Sequence, residues 1–168
     1  SPRPRAAETA MHRFPSTVIE LHRSAVAKLT RARLTYGHGT HSPRDEAAYL
    51  LAYALDVPTG RLAGRSAQPV TSSQRRRFDS LLRQRIRERI PAPYLTREAW
   101  LGDFSFYVDR RVIVPRSFIA ELLRDGLEIW LKAPVRRVLD LCTGSGCLAV
   151  LAAHAFPRAR VEAADVSL

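Results

Sequence analysis

Val138-Leu-Asp-Leu-Cys-Thr-Gly-Ser-Gly-Cys147 is the stretch that decides how this chain is read. An apolar run holding a single acid leads straight into a glycine turn. Such a run fits a buried parallel strand. Gly144 and Gly146 permit positive φ and a close approach of backbone to a ligand. Leu148 to Phe156 is helix-forming, and Pro157 helps to end it. Val161 to Asp165 then restarts as a strand that closes on an acid. Strand, glycine turn, helix and strand in that order form the first half of a nucleotide-cofactor site.

The identity of the cofactor turns on charge. Gly144, Gly146 and Ala149 satisfy the dinucleotide pattern G-x-G-x-x-G/A, which is a weak signal alone. In an NAD site the turn receives an anionic pyrophosphate at a helix N-terminus. Asp140, four residues before Gly144, would repel that anion. S-adenosylmethionine (SAM) carries a sulfonium and an ammonium group and no phosphate, so a nearby carboxylate favours it. Asp165 follows the turn by roughly 20 residues, where an acid can bind ribose hydroxyls. NAD, and a ligand-free α/β domain, are the competing readings.

The rest of the composition sets bounds. The chain has 168 residues, 46% of them hydrophobic, enough for one medium domain or two small ones. No run approaches the length of a membrane span. Ser1 to Glu20 lacks the apolar core of a secretory signal. Cys142 and Cys147, the two cysteines, flank the turn and imply no disulfide framework, so a cytoplasmic setting is expected. They read as small apolar residues rather than catalytic thiols. His38 and His41 form an H-x-x-H pair without a third ligand nearby, so no metal is expected.

Net charge is +11 and the pI about 10.9. Arginine supplies 25 of the 27 basic residues, Lys28 and Lys132 being the others. A GC-rich coding bias on solvated faces and a surface that meets RNA or a ribosomal particle both explain this. The densest cluster runs from Arg75-Arg-Arg77 through Arg83, Arg85, Arg87 and Arg89. Phe78, Leu81, Leu82, Ile86 and Ile90 fall at near-helical spacing among them, which predicts an amphipathic helix with a basic outer face.

Other elements follow from caps and breakers. Thr17 with Glu20 makes a capping-box pattern ahead of a helix to Tyr36. Ser42, Pro43 and Asp45 open a second helix through Leu55. Ser72 or Ser73 opens the basic helix, which Pro91 ends. Trp100 to Val108 and Arg111 to Val114 read as a hairpin around Asp109-Arg110. Ser117 to Leu131 reads as a helix. Residues 1–15, with Met11 the single methionine, read as a disordered leader. The expected organisation is α/β: an N-terminal helical domain at 16–90, a β-hairpin linker at 91–115, and the first βαβ part of a Rossmann-like domain at 116–168.

From about Thr35 onward the chain resembles the HemK-type protein-glutamine methyltransferases. The residues that carry this are Tyr36-Gly-His-Gly-Thr40, Arg44-Asp-Glu-Ala47, Pro93-Tyr-Leu-Thr-Arg-Glu-Ala-Trp100, Phe106-Tyr-Val-Asp109 and Val114-Pro-Arg-Ser-Phe-Ile-Ala-Glu-Leu122. They are most similar to the branch called PrmB, which methylates a glutamine on the third large-subunit ribosomal protein. The sister branch acting on peptide release factors typically carries I-P-R-P-[ED]-T-E where this chain has Val114-Pro-Arg-Ser117.

The resemblance implies a class I SAM-dependent methyltransferase domain and substrate recognition by the helical domain. It implies that Asp140, Cys142, Thr143, Gly144, Ser145 and Gly146 hold the methionine part of SAM, and Asp165 the ribose. It places Arg116 near the joint between domains and the active site. Arg76, Arg83 and Arg87 become candidates for docking a large-subunit ribosomal protein, with ribosomal RNA contact alongside. Cys142 departs from the glycine found in many relatives. A larger departure is that the family's catalytic Asn-Pro-Pro-Tyr does not occur in this sequence. That motif would accept the amide hydrogens of a glutamine whose nitrogen lone pair is delocalised, aiming it at the methyl group. This chain alone is therefore expected to be inactive, as a fragment of a longer product or a degenerate relative. A non-catalytic basic module that binds ribosomal RNA or protein is the alternative, and a release-factor methyltransferase a further one.

Overall fold

Residues 16–37 and 39–166 are described by the structure, a computed structural model; the expected leader at 1–15 and His38 lie outside the described residues. Helix α1 (Val18–Ala32) starts at the reciprocal cap read from the sequence. Glu20 Oε2 accepts the Thr17 N–H at 2.9 Å, and Thr17 Oγ1 accepts the Glu20 N–H at 3.4 Å. The helix ends sooner than Tyr36, because Arg33 takes a left-handed φ of 48°. Helix α2 (Pro43–Leu55) opens with Ser42 accepting the Asp45 N–H at 3.1 Å and Pro43 in the first turn. Helix α3 spans Ser72–Arg87, and its cap is Thr71 rather than either serine. Thr71 Oγ1 accepts the Gln74 N–H at 3.3 Å while Gln74 Oε1 accepts the Thr71 N–H at 3.1 Å.

The described chain divides into two compact units, residues 16–34 with 42–87, and residues 35–41 with 88–166. In the first unit the apolar stripes of α1, α2 and α3 meet. Ala25, Leu29, Ala47, Leu50, Leu51 and Phe78 are almost fully buried there. The connection at 59–70 folds back on α1: Val18 N–H donates to Gln68 C=O and Val70 N–H to Ser16 C=O. One charged pair lies inside this unit. Arg85 Nε donates to Glu46 Oε1 at 2.6 Å, with both side chains buried. Arg85 therefore leaves the basic outer face on which the sequence pattern put it. A guanidinium at a core position is tolerated because α2 supplies the carboxylate that compensates its desolvation.

The second unit holds a short helix α4 (Ala92–Thr96), which the sequence reading did not anticipate, and an antiparallel hairpin. The hairpin strands are β1 (Glu98–Leu101) and β2 (Phe104–Tyr107), with Leu101 opposite Phe104. The expected turn at Asp109-Arg110 is thus corrected to Gly102-Asp103. Gly102 adopts φ +61°, which glycine takes without strain at the first loop position of a two-residue hairpin. Asp109 instead binds Arg111 through the backbone N–H at 3.0 Å and the guanidinium at 2.8 to 3.1 Å. Hydrogen bonding to the Arg111 side chain holds its carboxyl well below the usual range. Ala99, Val108 and Val114 form a small core with Tyr94 and Val112 around them, and the Tyr94 hydroxyl donates to Val112 C=O at 2.7 Å.

Helix α5 (Phe118–Asp125) stops at Gly126, whose φ of +93° breaks the longer helix expected to reach Leu131. A turn of 3₁₀ helix, Glu128–Trp130, follows. Strand β3 (Arg137–Leu141), helix α6 (Cys147–Ala155) and strand β4 (Arg160–Ala164) then form a parallel βαβ unit. Its register pairs Asp140 with Ala163 and Leu141 with Ala164. The hairpin packs on α6 through Phe104 and His154, whose ring centroids lie 4.5 Å apart.

Candidate functional site

The βαβ unit sets the geometry of the candidate site. Parallel pairing of β3 and β4 brings their carboxyl ends side by side. Asp140 is next to last in β3, and Asp165 directly follows β4. The turn between β3 and α6 bends through three left-handed residues: Cys142 (φ 60°), Gly144 (58°) and Gly146 (78°). Gly146 caps α6 with its backbone. Cys142 shows that a side chain is accommodated at the first of these positions.

Both acids are tied to this turn. Asp140 Oδ2 accepts the Thr143 hydroxyl at 2.5 Å. Asp165 Oδ2 accepts the Gly144 N–H at 2.8 Å. Thr143 N–H donates to Ala164 C=O at 3.1 Å, which sews the turn to the end of β4. The turn is therefore held from both strands, and Asp165 lies on its exposed side. Ser145 Oγ and Cys147 Sγ are 2.9 Å apart. Burial pushes the Cys147 thiol above its ordinary value, in keeping with a packed small side chain, whereas Cys142 is exposed. The seven residues named from the sequence for this site, Asp140, Cys142 to Gly146 and Asp165, thus sit together.

Their donor set suits one kind of ligand. Two carboxylates border the turn, and no lysine or arginine stands between Asp140 and Cys147. Such a site attracts cations and hydroxyl donors and repels phosphate. That fits SAM and counts against a pyrophosphate cofactor.

Arg116 lies elsewhere in the same unit. Its Nη1 donates to Gly37 C=O at 3.5 Å, joining two motifs that lie 79 residues apart in the sequence. The loop that carries Gly37 is closed by its N–H donating to Thr40 C=O at 2.9 Å, with Thr40 buried. Among the described residues no group of three His, Cys, Asp or Glu side chains is placed to hold a metal. No helix among them is long and apolar enough to cross a membrane.

In the helical unit, Arg76, Arg83 and Arg87 are exposed on α3. Other arginines of the cluster are engaged. Arg75 donates to Ser16 Oγ at 2.8 Å and pairs with Asp79 at 3.6 Å; Arg77 lies 4.5 Å above the Tyr53 ring. A groove of about 660 Å³ runs between α1 and α3, lined by Lys28, Arg31, Ala32, Arg75, Asp79, Leu82, Arg83, Ile86 and Arg87. Lys28 and Arg31 were missed by the sequence reading. Their spacing of three on one helix was the available signal, but nothing local to it shows that α3 brings more cations beside them.

Comparison with known proteins sharpens this picture in two steps. Residues 20–96 match the family described as the PrmC N-terminal domain. The chain is also 52% identical, over 90% of its length, to the ribosomal protein uL3 glutamine methyltransferase of Bordetella pertussis, of which it covers 51%. It is 46% identical over 91% of its length to the protein of that name from Neisseria meningitidis serogroup B, again covering 51%. For the Burkholderia pseudomallei protein of the same name, identity is 48% over 90% of this chain and 50% of the relative. The chain thus spans about half the length of the curated relatives it matches. The resemblance to the ribosomal-protein branch of the glutamine methyltransferases is borne out by these matches.

Proposed function

We propose that this chain supplies the substrate-docking and cofactor-holding half of a SAM-dependent methyltransferase that modifies a glutamine side-chain nitrogen on ribosomal protein uL3. The observation that carries this reading is 46–52% identity, over nine-tenths of the chain, to proteins named for that activity. The βαβ unit is read as the opening of a Rossmann-like class I methyltransferase domain. The turn supports that reading because two carboxylates border it, which suits a ligand rich in cationic and hydroxyl groups.

Each part then has a role. Asp140 sets a negative potential at the end of β3, where the charged methionine portion would lie. Gly144 and Gly146 keep side chains off the turn, so backbone can approach the ligand. Asp165 is held at the end of β4, where a carboxylate can accept from ribose hydroxyls. When bound, SAM supplies an electrophilic methyl group. Arg116, fixed near Gly37, is a positioning residue for the substrate segment. Arg76, Arg83 and Arg87 dock the ribosomal protein's assembling RNA complex. Orienting the glutamine amide would fall to the Asn-Pro-Pro-Tyr segment that the family resemblance implies and this sequence does not contain.

Asp165 provides the test. In the protein expressed from the complete reading frame, Asp165→Ala is expected to weaken SAM binding by roughly 1–3 kcal/mol, the scale for hydrogen bonds to a charged acceptor. NAD affinity should be negligible in both proteins. Calorimetry that finds tight NAD binding and no SAM binding would overturn the cofactor. Unchanged SAM affinity in the variant would overturn the role of Asp165 alone. Methyl transfer to a release factor and not to uL3 would move the protein to the sister branch.

A further inference from the structure

We infer that the groove between α1 and α3 is an RNA-binding site that grips the phosphodiester backbone. Four exposed cations border it, Lys28 and Arg31 from α1 and Arg83 and Arg87 from α3. None of the four has an ion pair or hydrogen bond to a described side chain, whereas Arg75, Arg77 and Arg85 each have a structural partner. A single acid, Asp79, lines the groove, and Arg75 already neutralises it.

A purely helical explanation covers half of this charge. Arg31 and Arg87 stand in the last turns of their helices, where cations offset the negative end of the backbone dipole. Lys28 and Arg83 stand one turn further in, beyond the reach of that effect. They add charge that no internal carboxylate uses. Leu82 and Ile86 meanwhile give the groove an apolar floor on which a ribose or base can lie.

The choice of RNA over an acidic peptide rests on the ribosomal-substrate reading given above. A protein that packs against ribosomal RNA carries excess positive charge itself, and this groove would repel it. The phosphates around such a substrate are attracted instead. RNA also presents one charge per nucleotide in a continuous row, so four cations can be met without a special sequence. Four phosphate contacts imply a log–log salt slope of about −3 for a single strand.

The test is fluorescence anisotropy with a short labelled single-stranded RNA and the protein expressed from the complete reading frame. Between about 50 and 200 mM salt, affinity should fall on the order of 50-fold, as four contacts at about 0.7 each predict. The quadruple variant Lys28→Gln, Arg31→Gln, Arg83→Gln and Arg87→Gln should bind weakly and with little salt dependence. The singles Lys28→Gln and Arg83→Gln should each reduce the slope by about 0.7, which reads the same contacts if the quadruple fails to fold. A charge-matched control, Arg61→Gln, Arg65→Gln, Arg110→Gln and Arg158→Gln, should keep the slope. Equal losses in both quadruple variants, absence of RNA binding at low salt, or tighter binding of polyglutamate than of RNA would each overturn the assignment. Methyl transfer to free uL3 is measured in parallel. Transfer without RNA binding sinks this inference and spares the functional reading, and RNA binding through the groove without transfer does the reverse.

Discussion

Phe78 and Leu141 both sit in regular structure, yet one is 1% exposed and the other 66%. They stand for two units built on different terms. In the helical unit, each helix satisfies its own backbone hydrogen bonds and offers one apolar stripe. Three stripes meeting are enough to close a core. In the other unit, β3 and β4 leave two open strand edges, and Leu139 and Leu141 share an open face. Ile129 and Trp130 add to the uncovered apolar surface. The difference teaches that a helical unit can be self-sufficient at a size where a two-stranded parallel sheet is not.

Cutting the chain is the most severe way to break this contrast. Residues 16–90 alone should melt cooperatively by circular dichroism, while residues 136–168 alone should show no transition. A cooperative melt of the second piece would erase the distinction. Within the helical unit, Phe78→Ala should cost about 3–5 kcal/mol in denaturant unfolding, the scale for emptying a packed aromatic site. A loss below about 1 kcal/mol would mean that the three stripes do not close a tight core. At the small end, Leu141→Ala in this chain should change stability by no more than about 0.5 kcal/mol, as expected for an exposed side chain. A large loss there would show that the open face of β3 is packed.

Much of this was readable in advance where the determinants are local. Thr17 with Glu20, and Ser42 with Pro43 and Asp45, announce helix starts because a cap is made by residues within one turn. The glycine turn after β3 was readable for the same reason: Gly144 and Gly146 are placed where left-handed backbone is needed. The hairpin was misplaced because Val112 to Val114 offered a tempting second apolar run. Gly102-Asp103, beside Leu101 and Phe104, was the better turn signal. Arg85 could not be read as buried, since its partner Glu46 lies 39 residues away. The pair Asp165 and Gly144 was half visible. Each residue was chosen, but the hydrogen bond between them depends on the parallel register of two strands. The α1–α3 groove was hidden because it is assembled from two helices that the sequence separates by α2.

The contact between Arg116 and Gly37 has a consequence for the order of events during synthesis. Helices and their local packing form in microseconds or faster, far ahead of a ribosome adding about 5–20 residues per second. The segment 35–41 belongs to the second unit although it is flanked on both sides by helices of the first. Its partner Arg116 follows Gly37 by 79 residues, so it emerges roughly 4–16 s later. Once Arg87 has emerged, for roughly the last 1.5–6 s of that interval, α1, α2 and α3 can already be joined, with a loop between α1 and α2 still waiting for the residue that will hold it.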